Sequence, residues 1–300
     1  MTGDKYVFNG VLPWLDVPNW DYSDYVPGNG GEELLLTTLS NNSIVKIDDR
    51  IRFNWIHNTA VDTEYVIVIS NRGVFYIEND FVINNEDNKL LSVGVGPWDL
   101  LNTTSSVTVL PSGGFFPGLP IFDEDTNAYT VQLGSELDGG GISTATSEAY
   151  IFTIDRTCSK FENYKIMYLD RLGSWLTVNF DLASTKKTKV KKTDYRKNYG
   201  GYNPTTNSWG YNSYDRGKSR LDTTITDSYS ITTNWVSEEI GQQVIDLMES
   251  PEVYHLKEDG TLLAINITTS SLEQKQKVND KLFNYKLGFE YSFSNTVQRG

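Results

Sequence analysis

From Ser43 onward the chain breaks into short runs in which apolar and polar residues alternate, the two-residue period of half-buried strands. The runs IVKID, IRFNWI, EYVIVIS and GVFYIE come first, and Asn71-Arg72-Gly73 between the last two is a hairpin signal. KLLSV, SVTVL and AYTVQL follow, interrupted by PSGGFFPGLP at 111–120 and by Gly139-Gly140-Gly141, which suggests a division near residue 147. Beyond it the alternation resumes in AYIFTID, YKIMYLD, SWLTVNFDL, DTTITDSYSITT, VYHLK, TLLAINIT and the terminal KLFNYKLGFEYSFS. Only one stretch takes the helical period. Ile240, Val244, Leu247 and Met248 share a face, Ser237 caps it, Glu238 and Glu239 complement its positive end, and Pro251 stops it.

The pattern predicts an all-β protein, built of mainly antiparallel sandwich-like or barrel-like domains with one short helix near 237–249. Its two expected parts are an N-terminal β domain over 1–147 and a C-terminal β domain over 148–300. The second carries a projecting hairpin arm inserted at 186–220. No repeat of fixed period is present, which argues against a solenoid or propeller. Residues 9–31, rich in Pro, Gly, Asn and Trp, read as an irregular arm that Trp14 and Trp20 would anchor.

Composition sharpens this picture. With 18 Tyr, 13 Phe and 7 Trp in 300 residues the chain is aromatic-rich, as pleated surfaces favour. The single cysteine, Cys158, excludes an intrachain disulfide and a cysteine-based zinc site, and it fits a reducing cytoplasm. MTGDKYVFNGVLPW lacks the apolar core of a signal peptide, and the longest strongly apolar stretch, Tyr65 to Ile69, is too short to cross a bilayer. The expectation is a soluble protein without membrane contact. The N-x-S/T triplets at Asn41, Asn102 and Asn266 read as products of an Asn- and Thr-rich composition.

Candidate chemistry is sparse. His57 and His255 lie in strand-like runs without a Ser, Cys or second His at catalytic or metal-binding spacing. Asp48-Asp49, Glu86-Asp87 and Asp123-Glu124-Asp125 lack calcium-loop spacing and read as solvated turns. No glycine-rich stretch opens a nucleotide-binding helix. The expectation is a protein that is no enzyme, with no catalytic residue, no metal and no cofactor.

Charge is distributed unevenly. Residues 1–185 carry 10 basic and 25 acidic side chains, residues 186–220 carry 10 and 2, and residues 221–300 carry 6 and 12. The basic block holds Lys186, Lys187, Lys189, Lys191, Lys192, Arg196, Lys197 and Arg216, interleaved with Tyr195, Tyr199, Tyr202, Trp209, Tyr211 and Tyr214. Such a block would stack on and neutralise a nucleic acid, or form a hairpin arm whose aromatics anchor on a neighbouring subunit. The arm is the better reading because the rest of the chain repels phosphate. A second segment, Asp170-Arg171-Leu172-Gly173-Ser174-Trp175, reads as a fold-determining turn. There Asp170 bonds backbone donors, Gly173 takes a positive φ, and Trp175 starts the next strand from the core.

The C-terminal half resembles tail and ring proteins of crAss-like and related Bacteroidetes bacteriophages. The resemblance rests on Cys158-Ser159-Lys160-Phe161-Glu162-Asn163-Tyr164 and on Tyr168-Leu169-Asp170-Arg171-Leu172-Gly173-Ser174-Trp175 with Asn179-Phe180. The Lys-rich stretch ending Tyr195-Arg196-Lys197, the Trp235 to Leu247 segment leading into Ser250-Pro251-Glu252-Val253-Tyr254, and a strand pair closing near Gln298-Arg299 follow in the same order. Asp170 stands where Asn is commoner, and either suits the turn. The resemblance covers residues 149–300 and implies a structural virion component of the tail, assembled in the host cytoplasm. It implies a homo-oligomeric ring, six- or twelvefold, that contacts other tail or portal proteins and, transiently, genomic DNA. The alternatives are a carbohydrate-binding or glycan-degrading tail module and a nucleic-acid-binding protein acting through residues 186–220.

Overall fold

Val66, Val68, Phe75 and Ile77 sit at every second position of two adjacent runs and all are buried, so the alternation in sequence becomes the inner face of a sheet. The computed structural model describes residues 25, 35–56, 64–78, 81–83, 90–102, 107–110, 114–115, 121–122, 125–137, 141–145, 147–198, 200–214, 216–236, 238–271, 283–293 and 295–298. Its elements begin with strands β1 (Asn42–Lys46), β2 (Arg52–Ile56), β3 (Glu64–Ser70), β4 (Gly73–Glu78), β5 (Phe81–Ile83) and β6 (Leu90–Gly94). Helix α1 (Pro97–Leu101) precedes β7 (Val107–Leu110), β8 (Gly114–Phe115), β9 (Ala128–Leu137) and β10 (Gly141–Ala145). Then come β11 (Tyr150–Asp155), β12 (Tyr164–Leu169), β13 (Trp175–Phe180), β14 (Thr185–Arg196), β15 (Gly201–Asn203), β16 (Ser208–Gly210) and β17 (Lys218–Thr232). Helix α2 (Glu238–Glu249) and strands β18 (Val253–Leu256), β19 (Leu262–Ile267), β20 (Lys286–Tyr291) and β21 (Asn295–Gln298) complete them.

The expected all-β fold is what forms. One sheet runs β1-β11-β9-β3-β4-β7-β8 with β10 beside β9, and the other runs β14-β17-β20-β19-β18-β12-β13-β2-β6-β5 with β21 beside β17. β15 and β16 pair only with each other. Pairing is mainly antiparallel, and among the described residues the exception is β1 against β11. The sheets face one another through aromatic contacts. The ring of Phe53 on β2 lies 5.0 Å from that of Tyr150 and 6.1 Å from that of Phe152, both on β11. Tyr129 stacks on Phe152 at 4.9 Å and its hydroxyl donates to the Val95 carbonyl at 2.9 Å.

The β3–β4 hairpin closes through Asn71-Arg72, and Gly73 takes a φ of +137° that side-chain-bearing residues resist. Helix α2 spans the expected segment with Val244 and Leu247 fully buried, while Ser237 lies outside the described residues. Helix α1 is an addition to the expected elements. Pro97 begins it without loss of a hydrogen bond, and the Asp99 carboxylate accepts the Ile51 N–H at 3.0 Å. Only glycine fits just before it, because a Cβ on Gly96 would stand 2.5 Å from the Ile51 nitrogen and 2.6 Å from the Asp49 carbonyl. Trp14, Trp20 and His57 also lie outside the described residues.

The division expected near residue 147 does not coincide with a break between the sheets. β11, from beyond it, lies between β1 and β9, while β2, β6 and β5, from before it, extend the sheet that holds the C-terminal strands. One hydrophobic cluster runs from Val66 and Phe75 through Phe53 and Trp55 to Val178, Leu247 and Phe289. Separating the halves therefore exposes core surface on both. Residues 1–147 and 148–300, expressed apart, are expected to show no cooperative thermal transition by circular dichroism, whereas the whole chain melts in one. A cooperative transition in either half alone would contradict this.

Candidate assembly interface

All twelve residues of β14 are exposed, and six of them are basic. The strand pairs with β17 from Thr185↔Ser230 to Arg196↔Lys218, with a register shift at Thr193/Asp194. The root of this hairpin belongs to the large sheet. On its far side β17 pairs with β20 over Ser228–Thr232 and with β21 over Asp222–Ile225. The basic block is therefore an edge strand as far as Thr193, and only from Asp194 outward does it stand as a free two-stranded arm. Arg220 and Asp194 bond across that outer part at 2.6 Å. At the tip β15 pairs with β16, turning over Pro204 to Asn207, where Asn207 has a φ of +45° and the Asn203 side chain accepts the Thr205 N–H at 2.9 Å.

Register sorts the basic residues by face. Lys187, Lys189 and Lys191 stand opposite Ser228, Thr226 and Thr224, a lysine stripe facing hydroxyls. Lys186 lies on the other face, 2.8 Å from the Asp227 carboxylate and 5.5 Å above the Tyr229 ring, and Lys192 stands there opposite Thr223. The Asp227 carboxylate, then the Tyr229 hydroxyl, raise the Lys186 pKa. Arg196, Lys197 and Arg216 are exposed, as are Tyr195, Tyr202, Trp209, Tyr211 and Tyr214. Trp209 is 65% accessible and Tyr214 78%. Tyr199 lies outside the described residues.

The arm is held at its root by aromatic packing. Tyr229 stacks on Phe289 at 5.0 Å and meets Tyr291 edge-on at 5.3 Å. Beside them His255, on β18, stacks on Tyr164 and shares a 2.8 Å hydrogen bond between its Nδ1 and the Tyr291 hydroxyl. Burial, reinforced by Lys257, pushes its pKa down to about 4, so the ring is neutral at pH 7.

Asp170 is almost wholly buried at the β12–β13 turn. Its Oδ1 accepts the N–H groups of Leu172 and Ser174 at 2.9 and 2.8 Å, and its Oδ2 accepts that of Thr38 at 2.9 Å. Gly173 has a φ of +96° and its carbonyl accepts from the Asn54 side chain at 2.6 Å. Arg171 reaches back to Asp246 on α2 at 3.1 Å. Trp175 does not start β13 from the core. It is half-buried with its ring 5.8 Å from that of Tyr254.

The sequence reading missed a second buried carboxylate. Asp49 does not lie in a solvated turn: its neighbour Asp48 turns outward to pair with Lys165, while Asp49 turns inward and accepts the Lys46 N–H at 2.7 Å and the Asn179 amide at 2.8 Å. Burial pushes both Asp49 and Asp170 up to about 6, against the downward pull of these hydrogen bonds. Nothing in the Asp48-Asp49 dipeptide says which of the two faces inward. Glu86, Asp87, Asp123 and Glu124 lie outside the described residues, and Asp125 is exposed. Among the described residues no three His, Cys, Asp or Glu side chains are grouped to hold a metal ion.

Two consequences are measurable. Gly173→Val places a branched side chain at positive φ and is expected to cost about 1–3 kcal/mol, read as a lower urea midpoint. For Asp49 and Asp170 the folded pKa of about 6 exceeds the unfolded value of 3.8, so folded protein keeps protons that the unfolded chain releases between those values. Their contribution is fully present below the unfolded pKa and is lost as pH rises through the folded one. The difference in urea midpoint between about pH 4 and pH 7 is expected to shrink in Asp170→Asn, although that variant is less stable throughout because its amide meets the Thr38 N–H. An unchanged difference would show that Asp170 does not titrate in this window.

No protein-family model, no curated protein and no solved structure matches this chain.

Proposed function

We propose that this chain is a structural subunit of a bacteriophage tail, a ring-forming barrel or adaptor protein between portal and distal tail, acting through self- and partner-subunit packing. The observation that carries the reading is the arm: a fully exposed basic edge strand that runs out to a tip crowded with exposed aromatics, on an otherwise acidic body. Exposed aromatic clusters of this kind mark surfaces that another molecule covers. The +8 of residues 186–220 and the −15 of residues 1–185 make a second copy an electrostatically matched partner. The phage context comes from the sequence resemblance over residues 149–300.

Energetics divides the labour along the arm. Exposed lysine–carboxylate pairs are each worth only about 0–1 kcal/mol, so the charges orient the contact and the aromatics supply its affinity. The lysine stripe facing hydroxyls favours one further reading, in which Lys187, Lys189 and Lys191 touch DNA phosphates.

Replacing residues 188–218 by a short glycine linker leaves the buried root of β17 and its pairing with β20 in place. The variant is expected to stay folded and monomeric in sedimentation, while the intact chain forms closed rings in electron micrographs. Added salt is expected to weaken the intact assembly only modestly. Rings formed equally well without the arm would defeat the proposal, and loss of DNA binding alone in the deletion variant would favour the phosphate reading.

A further inference from the structure

At the root of the arm lies a cleft of about 460 Å³ between β1, β13 and the start of α2. Its rim is apolar and exposed: Ile44 is 65% accessible and Trp235 58%. Its floor is acidic, since Lys46 bonds Asp155 at 2.7 Å and lies 3.7 Å from Asp181, leaving two carboxylates to one ammonium. Burial opposes ionisation of Asp155, but the bonds from Lys46 and Thr157 prevail and hold its pKa down to about 2. Asp155 therefore stays charged at neutral pH.

The cleft is lined in part by residues flanking both strands of the arm. Asp181 precedes β14 by a few residues and Trp235 follows the end of β17 by as few. The arm tip is far from it. Twelve paired positions separate root from tip, and at about 3.3 Å per residue that is roughly 35–40 Å. A straight two-stranded ribbon cannot bring its own tip back to its own root, so tip and cleft of one molecule meet only counterparts on other molecules.

We propose that the cleft between β1 and α2 is the receptor for the arm tip of a second copy of this chain, with Trp209 and Tyr214 entering between Ile44 and Trp235. This rests on the reading of the arm as an assembly device and names the surface it grips. Chemistry matches on both sides: the tip offers exposed aromatic rings together with Arg196, Lys197 and Arg216, and the cleft offers an apolar rim over a floor with excess negative charge. Because the contact uses one tip and one cleft, a joined pair keeps one tip and one cleft unused. Those two engage each other in a twofold exchange of arms, or take up further copies head to tail until a ring closes.

A contact between unlike surfaces can be tested by complementation. One variant, Trp209→Ser with Tyr214→Ser, spoils the tip and keeps the cleft. Another, Ile44→Glu with Trp235→Ser, spoils the cleft and keeps the tip. All four residues are exposed, so both variants are expected to melt like the parent. Each alone is expected to associate roughly tenfold or more weakly than the parent. Mixed, they retain one intact tip and one intact cleft per pair, and sedimentation is expected to show 1:1 dimers that grow no further. If the cleft variant assembles like the parent while arm deletion blocks assembly, the arm reading stands and this receptor is wrong. If both folded variants are monomeric and the mixture is too, the receptor is also wrong. If arm deletion itself leaves assembly unchanged, the underlying reading fails first.

Discussion

A charged carboxylate buried at a tight turn, Asp170, fixes the geometry on which the rest of the structure depends. Leaving such a group without donors in a protein interior costs several kcal/mol. Here three backbone N–H groups converge on it, two from within its own turn and one from Thr38, far away in sequence. The carboxylate therefore does two things at once. It bends the chain between β12 and β13, and it pins the segment entering β1 against that bend, where the Ser174 hydroxyl also donates to the Leu36 carbonyl at 2.5 Å. Arg171 ties the same turn to α2. β13 is thereby held at its start, and the chain leaves it at Phe180 to begin the arm.

Asp49 plays the corresponding part at the junction with α1. Its side chain binds Lys46 and Asn179, its carbonyl accepts the Trp98 N–H at 3.2 Å, and Gly96 lets the backbones close to contact. Strand β1, which carries Ile44 and Lys46, is thus positioned by two buried carboxylates. Both carboxylates are bonded by backbone N–H groups, so replacing either by a residue that cannot accept leaves buried donors unsatisfied.

How much of this is legible in the sequence depends on whether the signal is local. The β3–β4 hairpin is legible because Asn71, Arg72 and Gly73 supply its turn without help from elsewhere. Helix α2 is legible because Val244 and Leu247 repeat at helical spacing. The arm announces itself by charge, since so many lysines in one run cannot be packed inside. Strand neighbours are another matter. β1 runs parallel to β11 across more than a hundred intervening residues, and alternation tells only that each has a buried face. For that reason a glycine cluster at 139–141 suggests a boundary that the sheets ignore. The cleft was hidden for the same cause: Ile44, Asp155, Asp181 and Trp235 come from four separate segments, and none is unusual where it stands.

The edge position of β14 limits how molecules of this kind can associate. An exposed edge of twelve residues, with no further strand beside it among the described residues, presents backbone groups of the kind on which sheets of different molecules join. Two β14 edges brought together would face six basic side chains with six more. Like charges at that density disfavour edge-to-edge pairing, and the register shift at Thr193/Asp194 twists the outer part of the arm away from a flat template. The isologous contact, in which arm meets arm, is therefore suppressed by the same residues that make the arm conspicuous. What remains favourable is contact between the basic arm and an acidic body, and those are different surfaces. A twofold dimer needs one self-complementary patch. Two copies that exchange arms present one, and copies that each pass an arm to the next do not, so what an arm too long to fold back fixes is the contact of basic arm with the acidic body of a different molecule.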